Sequence, residues 1–234
     1  MYLSIIIPTY NEENNIQKLI QHLQKHCNNN SFEIIVVDAG SADNTFSKAS
    51  QLGAKTFISP VKGRAGQMNY GVQQAIGDVY YFVHADSLPV STFYDDIQQA
   101  LTSNFTCGSF RFKFDSEKFI LKVNSFFTRF NYLFFRGGDQ TIFVTKALWE
   151  KAGTFKEEML IMEDYDFLER IWKQGKFKLI PKATLVSARK YDENSWLKVQ
   201  LANLKIVKMY RTGASQEEMI ATYHNLLKYR ANAF

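Results

Sequence analysis

The chain is 234 residues long and 46% hydrophobic, enough apolar side chain for a continuous buried core and for one large domain. Its formal net charge of +5 suits an anionic partner such as a nucleotide, a lipid headgroup or nucleic acid, without choosing among them. Cys27 and Cys107 stand far apart with no C-x-x-C or Cys/His ligand spacing, which argues against a disulfide framework and a structural zinc and fits a reducing compartment.

The apolar run that opens the chain ends at Pro8 and has no basic segment before it, so no signal peptide is expected. Residues 3–7 read as a buried strand, and apolar spacing at Ile16, Leu19, Ile20 and Leu23 reads as a helix. The pattern then repeats: strand over 33–37, helix over 42–52, short strand over 56–58, helix over 65–75 and strand over 79–83. Short apolar strands alternating with helices predict an α/β fold with a mostly parallel, doubly wound, Rossmann-like sheet. After Pro89 the rhythm breaks. Residues 107–114 alternate as an antiparallel strand does, 117–134 read as an aromatic helix and 140–144 as a further strand. A helix over 163–173, a strand over 176–180 and closing helices over 195–210 and 216–227 complete the chain.

In a doubly wound sheet ligands bind beyond the carboxyl ends of the strands. The first, second and fourth strands end in Thr9-Tyr10-Asn11-Glu12, Asp38-Ala39-Gly40-Ser41 and His84-Ala85-Asp86, so three strand ends carry carboxylates to one crevice. Two readings stand for Asp38 and Asp86. Each is a residue type that caps turns and helix starts. Alternatively, Asp86 faces a diphosphate across a divalent cation, Mn²⁺ or Mg²⁺, while Asp38 and Glu12 accept hydrogen bonds from a base or ribose. His84 lies two residues before Asp86, so both side chains point to one side of an extended segment, and His84 is either a ligand there or a structural hydrogen-bonding residue. Arg64, at the start of a helix in Gly63-Arg64-Ala65-Gly66-Gln67-Met68-Asn69, is placed to meet an anion. Glu163 and Asp164 open another helix. They either offset its dipole or serve sugar transfer, Asp164 taking the acceptor's proton and Glu163 orienting the acceptor.

Taken together, Ile5-Ile6-Ile7-Pro8-Thr9-Tyr10-Asn11-Glu12, Val36-Val37-Asp38-Ala39-Gly40-Ser41, His84-Ala85-Asp86 and Glu163-Asp164 resemble the family-two glycosyltransferases of the GT-A fold in identity, order and spacing. Within that family the chain is most similar to a small bacterial group, the radical-SAM/selenodomain-associated transferases. That likeness rests on 63–69, 82–86, Gly138-Asp139-Gln140, Ser187-Ala188-Arg189-Lys190 and Tyr210-Arg211-Thr212-Gly213-Ala214. It implies inverting transfer from a nucleoside diphosphate sugar, UDP- or GDP-linked, with a divalent cation. Pro8, Thr9, Tyr10, Glu12 and Asp38 would hold the nucleoside, Arg64 and Asp86 the diphosphate and metal, and Asp164 would be the base. Gly138, Asp139 and Gln140 would border sugar and acceptor, and Arg189 or Lys190 would neutralise the leaving diphosphate. One departure is plain: where the family has Asp-x-Asp, this chain has His84 first, leaving Asp86 as the one carboxylate of the motif. The expected organisation is one domain, with 1–89 as nucleotide-binding half, 90–192 as acceptor and catalytic half and 193–234 as closing helices.

The Phe-rich stretch 119–135 carries Lys122, Arg129 and two asparagines and falls short of the roughly 20 apolar residues of a membrane span. Its spacing is helical and favours core packing. The other reading is an apolar platform for a lipid-linked acceptor or a membrane surface, with Lys118, Lys122, Arg129 and Arg136 beside anionic headgroups. The expected location is cytoplasmic, with peripheral contact at the inner membrane face under that second reading. No aromatic and basic interleaving of an RNA-binding motif is present, so nucleic acid is not expected. The glycine-rich loops of nucleotidyltransferases and dehydrogenases are missing after the first strand. The remaining alternative is a catalytically inactive nucleotide-sugar-binding or membrane-docking protein of the same fold.

Overall fold

The computed structural model describes residues 1–27, 30–136 and 140–228. β1 (Leu3–Thr9), α1 (Glu13–His26), β2 (Phe32–Asp38), α2 (Thr45–Gln51), β3 (Lys55–Ile58), α3 (Arg64–Gln73) and β4 (Val79–Phe82) alternate as expected. Then follow β5 (Ser87–Leu88), α4 (Phe93–Thr102), β6 (Cys107–Phe114), α5 (Phe119–Phe127) and a 3-10 turn at Leu133–Phe135. After these come β7 (Ile142–Thr145), α6 (Lys146–Ala152), α7 (Glu163–Gln174), β8 (Phe177–Val186), α8 (Lys190–Glu193), α9 (Trp196–Arg211) and α10 (Gln216–Leu226).

All eight strands form one sheet in the order β3-β2-β1-β4-β7-β6-β8-β5. β3, β2, β1 and β4 run parallel, so their carboxyl ends share one edge. β7 is antiparallel to both β4 and β6, β6 runs parallel to β8, and β5 closes the edge antiparallel to β8. Helices cover both faces. Leu3, Ile5 and Ile7 of β1 pack with α1, α2 and α4, and Ile6 packs with α3, α6 and α7. Burial on both faces is why β1 and β2 read as unbroken apolar runs rather than alternating ones.

Several expectations change. The helix expected over 117–134 ends at Phe127, and on it only Leu121 is buried, so core packing is not what its aromatic spacing serves. The strand expected over 176–180 continues to Val186. Its register against β6 jumps between Phe110↔Ile180 and Arg111↔Ala183, which leaves Pro181 and Lys182 in a bulge where the missing Pro181 N–H is tolerated. The strand over 107–114 is antiparallel to β7 but parallel to β8. α4 and α6 were not anticipated. Among the described residues, no helix is long and apolar enough to cross a membrane.

α9 and α10 have a cluster of their own, in which Val199, Ala202, Ile206, Met219 and Tyr223 enclose Ile161. Gln216 Oε1 accepts the N–H groups of Leu160 and Ile161, and the Ser215 capping box starts α10 at that point. Tyr210 and Arg211, at the end of α9, donate to Asp166 and Tyr165 in the first turn of α7. The closing helices thus fix the segment that presents Glu163 and Asp164.

Candidate active site

The loop after β1 is held from three sides. Asn11 takes φ 52°, a left-handed conformation that asparagine tolerates, and its N–H donates to Ser41 Oγ. The Glu12 N–H donates to Thr45 Oγ1. Gln67 Nε2, one turn into α3, donates to the carbonyls of Thr9 at 2.8 Å and Val37 at 2.7 Å, tying the ends of β1 and β2 together. α3 reaches them because Gly71 lies against Ile6, where an added Cβ would stand 2.5 Å from the Ile6 Cγ2.

Asp38 is fully buried at the end of β2. Its Oδ1 accepts the N–H groups of Gly40 and Ser41, and its Oδ2 accepts the hydroxyls of Thr9 and Ser41. These four bonds fix the loop, and a base or ribose donor would have to displace one of them. Pro8 and Thr9 are buried in β1, and Tyr10 is half-buried beside them.

A charged bridge spans the loop after β1 and the segment after β4. Arg189 Nη1 and Nη2 donate to Glu12 Oε2 and Oε1 at 3.0 and 2.6 Å, and Nη2 lies 2.8 Å from Asp86 Oδ2. The pairing of β5 with β8 makes this possible. Ser87 is registered opposite Val186 and the Ser187 N–H donates to the Asp86 carbonyl, so the residues after β8 arrive beside Asp86. Asp115 Oδ1 accepts the Ala188 N–H and steadies the same turn. Val83 and Ala85 are buried while His84 and Asp86 are partly exposed, the alternation that places the latter two on one side.

The second charged group stands at the start of α7. Gly63, at φ 95°, turns the chain into α3 so that Arg64 Nη2 lies 2.8 Å from Glu163 Oε1. The contact is a close ion pair. Glu163 is almost fully buried, and burial pushes its carboxyl up to about 7; the Arg64 guanidinium opposes the rise and neighbouring Asp164 adds to it. Asp164 Oδ1 accepts the Tyr165 N–H at 2.7 Å, whereas its buried Oδ2 has no hydrogen-bond partner. Met162, just before the pair, holds φ 69°, a left-handed conformation that is strained for methionine. Asn69 completes the frame: its amide donates to the Phe155 carbonyl and Glu157 Oε1 and accepts the Phe155 N–H, bolting α3 to the segment leading into α7.

Gln140 is buried, and its amide is engaged with the Phe135 carbonyl and with Arg136 Nη1. Gly138 and Asp139 lie outside the described residues. Gln67, Asn69 and Gln216 are the positioning residues that sequence reasoning left without a role. The first two stood inside the quoted 63–69 motif, and nothing near Gln216 marked it. Cys27 and Cys107 are free and buried, with thiols pushed up to about 12 by burial, which makes them poor nucleophiles.

Comparison with known proteins decides the family. The sequence profile of Glycosyl transferase family 2 matches residues 4–159. The chain belongs to glycosyl transferase family 2. Its segment of 91 residues is 35% identical to the dolichol-phosphate mannosyltransferase of Pyrococcus furiosus, covering 37% of this chain and 26% of that one, so the match spans about a quarter of the relative's length. Among solved structures the fold matches the mannosyltransferase PcManGT of Pyrobaculum calidifontis, in complex with GDP-Man and Mn²⁺ (TM-score 0.66, 17% identity, 96% of this chain and 69% of that one). It also matches S. aureus TarS 1-349 in complex with UDP (TM-score 0.64, 18% identity, 97% and 70%). The family-2 chain has the GT-A fold that its motifs implied.

Proposed function

We propose that the chain transfers a glycosyl group with inversion from a UDP- or GDP-linked donor to an acceptor hydroxyl, with Asp164 as general base. The observation that carries this reading is the unpartnered Asp164 Oδ2, buried at the start of α7 beside the Glu163–Arg64 ion pair. Asp164 takes the acceptor proton on Oδ2 as the acceptor oxygen bonds to the anomeric carbon. The bond from that carbon to the donor diphosphate breaks, and its electron pair leaves on the β-phosphate oxygen. Arg64 and Arg189 hold the charge that develops there. Glu163 fixes Arg64 and helps to orient the acceptor, while Pro8, Thr9, Tyr10, Glu12 and Asp38 frame the nucleoside.

The donor set fits a divalent cation in a limited way. Among the described residues no group of three or more His, Cys, Asp or Glu forms a metal cluster. Mg²⁺-type sites need only one or two carboxylates when substrate phosphates complete the shell, and Asp86 with His84 on the same side meets that minimum. These two residues would hold the cation, which would supply charge neutralisation at the diphosphate. Arg189 already serves Asp86 as counter-charge, so the guanidinium and the cation share one task.

The solved relatives with nucleotide ligands support the donor class, and the dolichol-phosphate enzyme supports a lipid-linked acceptor, with the chain acting at the cytoplasmic face of a membrane. The test is release of nucleoside diphosphate from UDP- and GDP-sugars with Mn²⁺. Turnover of one donor class is expected. Donor binding without any release would leave the inactive binder in its place.

A further inference from the structure

The aromatic residues around α5 face outward. Phe119 and Tyr132 are exposed by 78% and 67%, and Phe126, Phe127 and Phe130 are exposed beside them in one ring cluster, where Phe126 meets the other two edge to face. Arg129 lies over the Phe126 ring at 3.6 Å. From Lys118 to Arg136 the chain contains no acidic residue.

α9 shows the same composition from a separate stretch of sequence. Val199, Ala202 and Ile206 face inward, while Leu197, Leu201 and Leu204, at helical spacing, are exposed by 59%, 57% and 50%. All four charged residues of this helix, Lys198, Lys205, Lys208 and Arg211, are cations. The start of α9 meets the apolar cluster beneath α5. Trp196, the first residue of α9, packs on the cluster of Phe114, Leu121, Val186 and Ala188 that also buries α5.

Between α5 and the β6–β8 pair lies a groove of about 590 Å³, with Arg111, Lys113, Lys122 and Arg129 among its lining residues. The Arg111 Nε there is buried without a hydrogen-bond partner. Of the lining acids, Asp115 accepts the Ala188 N–H and Glu117 accepts from Lys122 Nζ, so cations predominate.

We propose that α5 and α9 form a docking face for a bilayer carrying anionic phospholipid. Phe119, Phe126, Phe127 and the α9 leucines enter the headgroup boundary, the surrounding lysines and arginines meet the lipid phosphates, and the groove admits a headgroup. Exposed aromatic and leucine stripes on two helices whose charged residues are all cations match the chemistry of such a surface, with Glu117 and Asp192 at its edge paired to Lys122 and Lys118. Charge selects the occupant: a second copy of this face would set two sets of cations against each other, whereas an anionic lipid surface pairs with them.

The test is co-sedimentation of the full chain with vesicles of phosphatidylcholine alone and of phosphatidylcholine mixed with phosphatidylglycerol. Binding to the anionic vesicles, weakened by salt, is expected. Phe126→Ser with Leu201→Ser, and separately Lys198→Gln with Lys205→Gln, should each reduce it about tenfold. These residues are exposed, so unchanged melting and unchanged donor turnover in solution should accompany the loss. Failure to sediment with anionic vesicles, or binding indifferent to both pairs of changes, would overturn the proposal. So would a wild-type dimer in sedimentation equilibrium that the Phe126 and Leu201 changes dissociate. Donor turnover in vesicle-free solution tests the transferase reading separately.

Discussion

The Arg189 guanidinium lies 2.8 Å from the Asp86 carboxylate, and the same group is bidentate to Glu12, so one cation joins the segment after β4 to the loop after β1. Two acids brought to one crevice would repel each other and an incoming diphosphate alike. Arg189 holds the two acids together and cancels one of their two negative charges, which lowers the repulsion that a diphosphate would meet.

Removing that charge should show in nucleotide binding. Arg189→Ala is expected to weaken UDP or GDP affinity in the presence of Mn²⁺ about tenfold, and Arg189→Lys less, because an ammonium keeps the charge but loses the fork. Calorimetric titration of the nucleoside diphosphate checks this. Equal affinity in all three proteins would remove Arg189 from the diphosphate site.

Glu163 makes a pH prediction with a definite sign. Its carboxyl stands at about 7 in the folded chain against an ordinary value of 4.5. Between those values the folded chain binds more protons than the unfolded one, so this residue's contribution to stability falls as pH rises through the window and stays low above it. Glu163→Gln removes the dependence and should exceed the wild type in urea-measured stability at about pH 8 by on the order of 2–3 kcal/mol, with the gap closing near about pH 4. Donor turnover should fall in the same variant, since Arg64 loses its anchor. A gap of the same size at both pH values would contradict the account.

Gly71 tests the close approach of α3 to β1. Alanine is favoured over glycine inside an open helix by about 1 kcal/mol. Here the added methyl would stand 2.5 Å from the Ile6 Cγ2 and 3.3 Å from the Val37 Cγ2, both on buried β-branched side chains with no freedom to retreat. Gly71→Ala should therefore destabilise by about 1–3 kcal/mol. Stabilisation in a denaturant melt would mean that α3 does not lie so near the sheet.

Much of the first 89 residues was legible, because strands buried on both faces advertise themselves as apolar runs and each stops at a polar cluster. The crevice acids Glu12 and Asp86 were legible for the same reason. Arg189 drew notice as a cation after the last strand, but its bridge depends on β5 pairing with β8, a contact nearly 100 positions apart that no local pattern encodes. For Asp38 the cap and the ligand reading both stand in sequence, because sequence does not reveal that Thr9, Gly40 and Ser41 turn inward upon it. The helix expected over 117–134 misled through its periodicity: helical spacing of apolar residues reports an apolar face, and only the fold tells whether protein covers it. Pro181 ended the expected last strand early, since the bulge that accommodates it is invisible without its β6 partner.

The most direct test concerns Asp164. Asparagine keeps an oxygen for the Tyr165 N–H and so leaves the start of α7 intact, but it cannot accept the acceptor's proton. Sugar transfer by Asp164→Asn should fall about 10²–10⁴-fold with melting and nucleotide affinity unchanged. Transfer at the wild-type rate by this variant would contradict the assignment of the base, and with it the mechanism.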